Sequence, residues 1–339
     1  MISFKNDYSE GALPAILHAL ATTNEIQQGG YGEDDYTHEA IELIREKLNS
    51  PHAAIHLVSG GTQANLTFIS SVLRPYESVI AVTTGHIFRH ETGAIEATGH
   101  KIETVFAKDG KLSPSLLASF IDKVVALHMP LPRLVYISNS TELGTHYLRA
   151  ELIALYEYCQ RKGLLLYLDG ARLASGMQAG DIRYEDLARY TDAFYIGGTK
   201  NGALIGEAIV INNPGLQEYF SYNLKMRGAL LAKGRLLGIQ FRELFKGDTY
   251  LSIGAYMNEM AMKLAAGIRE AGYEFLIESK TNQVFPVLPW TVIKKLEEKY
   301  GFYVWQRVDE ECAAIRLVTS WNTRLEAVEQ FVEDLKTCS

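Results

Sequence analysis

From about residue 50 the chain alternates short apolar runs with helical stripes, the pattern of a mainly parallel sheet joined by crossover helices. The spacing predicts strands over 54–59, 78–83, 102–107, 134–139, 164–169, 193–197 and 208–212. Several of these are apolar on both faces, as central strands covered by helices on each side must be. Between them, residues 150–162 put Leu152, Leu155, Tyr156 and Cys159 on one helical stripe, and Gly163 stops it. Small residues at 59–62 lead into a predicted helix over 63–73. After Gly215 the rhythm becomes helical, with one long helix predicted over 217–245 and a second over 252–271, separated by Gly247 and Asp248. The C-terminal part reads as a small α+β unit closed by a helix whose stripe is Leu325, Val328, Phe331, Val332 and Leu335, with Thr323 and Glu326 spaced as a capping box. The expected fold is therefore α/β: a large three-layer αβα domain on a seven-stranded, mainly parallel sheet (1–247), and a small α+β domain (248–339).

Composition narrows the function classes. With 339 residues, 47% hydrophobic and 22% charged, the chain is long enough for a large domain with a deep site and leaves no room for long disordered tracts. Its 33 basic and 40 acidic side chains give a formal charge of −7 without a basic cluster, which argues against a nucleic-acid partner. No apolar run approaches a membrane span, and the opening MISFKNDYSEG lacks the pattern of a secretion signal, so a cytoplasmic, non-membrane protein is expected. Cys159, Cys312 and Cys338 are too few and too scattered for a disulfide framework or a zinc site, and no HExxH motif is present; no metal site is expected.

Three segments carry the chemistry: SGGTQAN (59–65), LYLDGAR (166–172) and YIGGTKNG (195–202), each at the C-terminal end of a predicted strand. Ligands of open α/β sheets bind along that edge, so the three are expected to converge. The glycines of the first let backbone N–H groups and a helix N-terminus approach an anion such as phosphate, although a plain tight turn explains them too. It is not a Walker A loop, since no GK[ST] follows, and no GxGxxG dinucleotide fingerprint is present. Asp169 ends an apolar strand, where a carboxylate needs a strong partner; a protonated pyridine nitrogen is one, and a capping role in the next turn is the other reading. Lys200, flanked by Gly197, Gly198 and Gly202, has room to run beside a ligand, and partial desolvation would make its amine a Schiff-base nucleophile. Arg172 has the fork to bind a carboxylate or to form a surface ion pair.

Taken in order, NDYSEGALPAIL, QGGYGEDDYT, SGGTQAN, HIFRHETGA, YISNSTELGT, LYLDGARLA, GGTKNG, LLAKGRLLG and AIRLVTSWNT cover nearly the whole chain. In these segments the sequence resembles the threonine aldolases of the β-eliminating lyase group, fold-type I enzymes that use pyridoxal 5′-phosphate (PLP). The resemblance implies Lys200 as the lysine that bears PLP, Asp169 as partner of its pyridine nitrogen, and His86 as the imidazole stacked on the ring. It implies Gly60, Gly61 and Thr62 at the phosphate, with Arg235 reaching that phosphate from a neighbouring subunit. Tyr31 would cross the same interface, in a homodimer or homotetramer with shared active sites. Arg172 and Arg316 would clamp the substrate α-carboxylate, and His128 would be a second active-site histidine, so that His86 or His128 is the expected base. Simpler readings stay open: loop packing for His86 and His128, interface filling for Tyr31, a structural ion pair for Arg316.

Two positions depart from the family pattern. Asn6 stands where other members carry a Ser before the Asp, and its amide can donate a comparable hydrogen bond to the carboxylate. The lysine loop reads GGTKNG rather than the common Ser-Lys-Gly form. The implied activity is retro-aldol cleavage of L-threonine, allo-threonine and related β-hydroxy-α-amino acids to glycine and an aldehyde. The competing expectations are another PLP-dependent lyase, racemase or aminotransferase on the same scaffold, or a non-catalytic protein that binds a phosphate-bearing ligand or regulates a partner.

Overall fold

A computed structural model describes residues 1–123 and 127–338. A two-residue strand, β1 (Ile2–Ser3), comes first. The main sheet follows from β2 (Ala54–Val58), β3 (Glu77–Val82), β4 (Lys101–Val105), β5 (Leu131–Ser138), β6 (Leu165–Asp169), β7 (Ala193–Gly197) and β8 (Glu207–Ile211). Their spatial order is β2-β8-β7-β6-β5-β3-β4, and only β8 runs against the others. The C-terminal ends of β2, β3, β5, β6 and β7 consequently share one edge of the sheet, and Glu207, at the start of β8, lies on that edge as well.

Period-two alternation divides the buried strand residues between two cores. Ile80, Val135, Leu166, Leu168, Phe194 and Val210 pack on one face with the helix Arg149–Lys162. Val79, Leu134, Tyr136, Tyr167, Tyr195 and Ile209 pack on the other with the helix Gly61–Val72. Helices on both faces make the expected αβα layers.

The C-terminal unit is built from β9 (Gln283–Val284), β10 (Val287–Pro289), β11 (Tyr300–Gly301), β12 (Tyr303–Arg307) and β13 (Cys312–Val318), with the helix Leu325–Cys338 over a third apolar core. Two features differ from the division expected at residue 247. β1 pairs in parallel with β11, and Phe4 sits in the third core, so the first residues pack with the C-terminal unit. The helix Thr249–Glu270 serves both units, because Ile253 and Met257 join the first core whereas Met260, Leu264 and Ile268 join the third.

The long helix expected over 217–245 is two helices, Phe220–Met226 and Arg235–Phe245. Gly228 takes a left-handed φ of +68° just after the first, a conformation that ends helices. At the C-terminal helix, Thr323 Oγ1 accepts the backbone N–H of Ser320, 2.7 Å away, and the helix begins at Leu325.

Candidate active site

A cavity of about 420 Å³ opens where the C-terminal edge of the sheet meets the C-terminal unit. Lys200, His86, Arg172 and Arg316 line it, from a strand-end loop, a short helix after β3, the turn after β6, and β13. Asp169, the last residue of β6, is buried beside it. The remaining wall includes Tyr8, His90, Glu142, Gln283, Tyr303 and Trp305.

Asp169 accepts hydrogen bonds from Tyr136 (2.6 Å), Tyr195 (2.5 Å), Asn65 (3.0 Å) and the backbone N–H of Ala171 (3.0 Å). Burial would raise its pKa, but the field of His86 and the bonds from Tyr136, Tyr195 and Asn65 outweigh burial and hold the carboxyl below its usual range. It is therefore an ionised carboxylate in a nearly water-free place. From it runs a chain of contacts: Asn65 Nδ2 also donates to Glu91 Oε1 (2.8 Å), and Glu91 Oε1 holds His86 Nδ1 (2.9 Å). That bond fixes the imidazole by one nitrogen and leaves Nε2 as the nitrogen outside the pair.

Lys200, by contrast, is pushed toward its uncharged form. Burial first, then repulsion from Arg172, lowers its pKa, against the pull of Asp7, Asp169 and Glu207. An amine so placed gives up its proton more readily and becomes a nucleophile. Below the loop, burial pushes the Glu207 carboxyl up to about 8, although the backbone N–H of Gly198 donates to it at 2.8 Å.

The two arginines differ. Arg172 is locked by Asp7, which accepts from Nε at 2.6 Å and Nη2 at 3.0 Å and also takes a bond from Asn282 at 2.9 Å. Arg316 has no ion-pair partner among the described residues; its guanidinium lies 5.1 Å from the Trp305 ring centre and 5.4 Å from that of Tyr303, and its Nε is buried without a partner. Burial, then Arg172, makes the Arg316 charge costly, which is the situation in which an incoming carboxylate gains most. A structural ion pair is thus not what holds it.

Gly60 caps the helix Gly61–Val72 without a side chain to offer its first amides, so these face outward at the end of β2. A Cβ on Gly61 would stand 2.8 Å from the Tyr195 hydroxyl, which ties this turn to the Asp169 cluster. Thr62 lies in the first turn of the same helix. These residues fit PLP: an anion cradle, a buried carboxylate, a depressed lysine and a fixed imidazole on one sheet edge.

Asp169 and the Gly60–Thr62 turn flank this cavity without lining it, and four further expected site residues do not line it either. His128 is exposed on the segment leading into β5, before the strand rather than after it, which puts it at the opposite edge of the sheet. Asn6 Oδ1 accepts the Tyr8 N–H (3.0 Å) and the Ser9 hydroxyl (2.9 Å), so its side chain closes a local turn. Tyr31 is 49% exposed, with Lys225 4.3 Å from its ring centre. Arg235 donates to the carbonyls of Thr23 and Ile26. Conversely, Asn65, Glu91 and Glu142 reach the site from SGGTQAN, HIFRHETGA and YISNSTELGT, where no sequence pattern sets them apart from their neighbours. Tyr136 and Tyr195 had a legible signal: with Tyr167 they put polar-tipped rings on the Asp169 face of three adjacent strands. Among the described residues no group of three or more His, Cys, Asp or Glu side chains is arranged to hold a metal.

The family model described as "Beta-eliminating lyase" matches residues 7–330. A low specificity L-threonine aldolase of Pseudomonas aeruginosa is 30% identical over 341 residues, covering 98% of this chain and 96% of that one. The solved structure of a Leishmania major threonine aldolase superposes with a TM-score of 0.98 at 45% identity, covering 99% of each chain. An aspartate aminotransferase of Thermus thermophilus superposes with a TM-score of 0.72 at 13% identity, a likeness of fold alone.

Proposed function

Because this chain belongs to the β-eliminating lyase family, we propose that it is a PLP-dependent aldolase that cleaves L-threonine, allo-threonine and related β-hydroxy-α-amino acids to glycine and an aldehyde. The observation that carries this reading is the single cavity shared by Lys200, His86, Arg172 and Arg316, with ionised Asp169 beside it. The Pseudomonas and Leishmania relatives named for threonine cleavage support it.

Lys200 would carry PLP through its amine, Asp169 would face the pyridine nitrogen, His86 the ring, and Gly60, Gly61 and Thr62 the phosphate. When bound, the cofactor supplies an electron sink for the pair released as the substrate Cα–Cβ bond breaks. Asp169, ionised and buried, would hold a proton on the pyridine nitrogen and so sustain that sink. Arg316, with its buried unpartnered Nε, and Arg172, oriented by Asp7, bind the α-carboxylate and fix the rotation that selects which Cα bond breaks. Tyr303, Trp305 and Tyr8 line the cavity with aromatic rings that leave less room for water beside a bound substrate.

We place Arg235 and Tyr31 at a neighbouring copy's site, in a homodimer or homotetramer. The three cysteines are unpaired, which suits the reducing cytoplasm, and no described helix is long and apolar enough to cross a membrane. The test is the absorbance spectrum and threonine turnover of the wild type beside Lys200→Ala. The wild type is expected to show the visible band of lysine-bound PLP and to release glycine and acetaldehyde; the variant loses the band and nearly all turnover. A variant with unchanged spectrum and rate would overturn the site, and a wild type that eliminates, racemises or transaminates another amino acid while leaving threonine intact would overturn the aldolase assignment.

A further inference from the structure

Retro-aldol cleavage needs a base for the β-hydroxyl proton, and the two histidines expected to supply it are poorly placed. His128 lies at the far edge of the sheet, and His86 is tied through Nδ1 to Glu91 and assigned to the cofactor ring. His90 lines the cavity, but burial and the neighbouring charges of His86, Arg316, Arg89 and Lys200 depress its proton affinity, which weakens it as a base.

Glu142, on the loop that leaves β5, lines the same cavity. One of its oxygens is fixed: Oε1 accepts from the Ser138 hydroxyl at 2.7 Å and from the backbone N–H of His86 at 3.0 Å. The other, Oε2, is buried without a hydrogen-bond partner. A buried carboxylate oxygen left unpaired costs free energy unless something uses it. Burial first, then Asp169, raises the Glu142 pKa against the opposing Ser138 bond and the field of His86, and a carboxylate so shifted is a stronger base near neutral pH. Both hydrogen bonds come from groups that β3 and β5 place at the site edge, so the carboxylate is held rather than free to swing.

We infer that Glu142 is the catalytic base of the cleavage step, taking the substrate's β-hydroxyl proton on its unpaired oxygen; this rests on the aldolase reading above. The hydroxyl O–H bond breaks as a new O–H bond forms on Glu142. Its electron pair becomes the second bond of the aldehyde carbonyl, while the Cα–Cβ pair stays with the glycine fragment. That fragment later takes one proton at Cα, so no oxidant or further reactant is needed.

The test separates proton removal at the β-hydroxyl from every earlier step. Exchange of the glycine α-hydrogen in deuterium oxide needs cofactor, carboxylate binding and Cα deprotonation, but no β-hydroxyl base. Holoenzyme carrying Glu142→Gln is expected to keep the PLP band and to exchange glycine within about twofold of wild type, while kcat for L-threonine falls about a hundredfold or more. Wild-type threonine cleavage by the variant overturns the inference, and so does parallel loss of cleavage and exchange, which would make Glu142 a positioning residue for His86. Should Glu142→Gln fail to hold PLP, Glu142→Asp asks the same question: slowed cleavage with intact exchange supports the base, and unchanged cleavage refutes it. A wild type that exchanges glycine yet leaves threonine intact would instead overturn the aldolase reading itself.

Discussion

The Asp7–Arg172 pair shows how a residue outside the chemistry can set it. Asp7 is buried, with 0% of its side chain exposed, and accepts from Nε and Nη2 of Arg172. Burial would raise the Asp7 pKa, but Arg172, Lys200 and the bonds from Arg172 and Asn282 keep it low, so it stays charged. The arginine is thus aimed before substrate arrives, and the entropy of ordering its long side chain is already spent. Asp7→Asn keeps the shape and removes the charge that holds the fork. We expect KM for L-threonine to rise about tenfold, equivalent to about 1.4 kcal/mol of binding, with kcat changed far less and the PLP band intact. Steady-state kinetics check this; an unchanged KM would remove Arg172 from the carboxylate clamp.

At the scale of elements, the sheet was readable because β3, β6, β7 and β8 are buried along their whole length, which leaves near-continuous apolar runs, and the partly buried β2 and β4 fall into the same spacing. The site edge was readable for the same reason: polar residues directly after such runs, Asp169 and Lys200 above all, have few places to go. The Arg172–Asp7 pairing was not, because its partners stand 165 positions apart and only the folded chain brings them together. The break after Met226 and the helix shared between both units were also hidden: periodicity reports which face of a helix is buried, and not what buries it. Gly254 illustrates the second case. It reads as an ordinary helix glycine, yet a Cβ there would stand 2.4 Å from the carbonyl carbon and oxygen of Ala174, on the helix Leu173–Ala179 that follows the Asp169 turn. Gly254→Ala gains helix propensity but must push these helices apart, and overpacking of that kind costs about 1–3 kcal/mol. Thermal denaturation should show a lower midpoint than wild type; an equal or higher one would mean that the crossing is looser than the glycine implies.

For the whole molecule, the question is whether one chain completes its own site. Lys200, Asp169, His86 and Arg316 belong to one cavity region, whereas Arg235 and Tyr31 lie outside it. Arg235 begins an 11-residue helix beside Gly30 and the Tyr36 ring, whose centre is 5.1 Å away. Near Tyr31, the helix Phe220–Met226 and its preceding residue expose Tyr219, Tyr222 and Met226 at 68%, 72% and 68%, more large apolar surface than a monomer usually leaves open on one short element. A second copy that covers these side chains and presents Arg235 to the Gly60–Thr62 turn accounts for both observations. The consequence is testable by complementation. In a symmetric dimer with shared sites, a subunit carrying Lys200→Ala paired with one carrying Arg235→Ala has one site with both lesions and one with neither. Random pairing of two inactive parents should therefore restore about a quarter of wild-type threonine cleavage, assayed at limiting PLP, where loss of the phosphate contact is most severe. If each chain builds its site alone, the mixture stays as inactive as its parents, and Arg235 then serves only to brace the segment from Thr23 to Ile26.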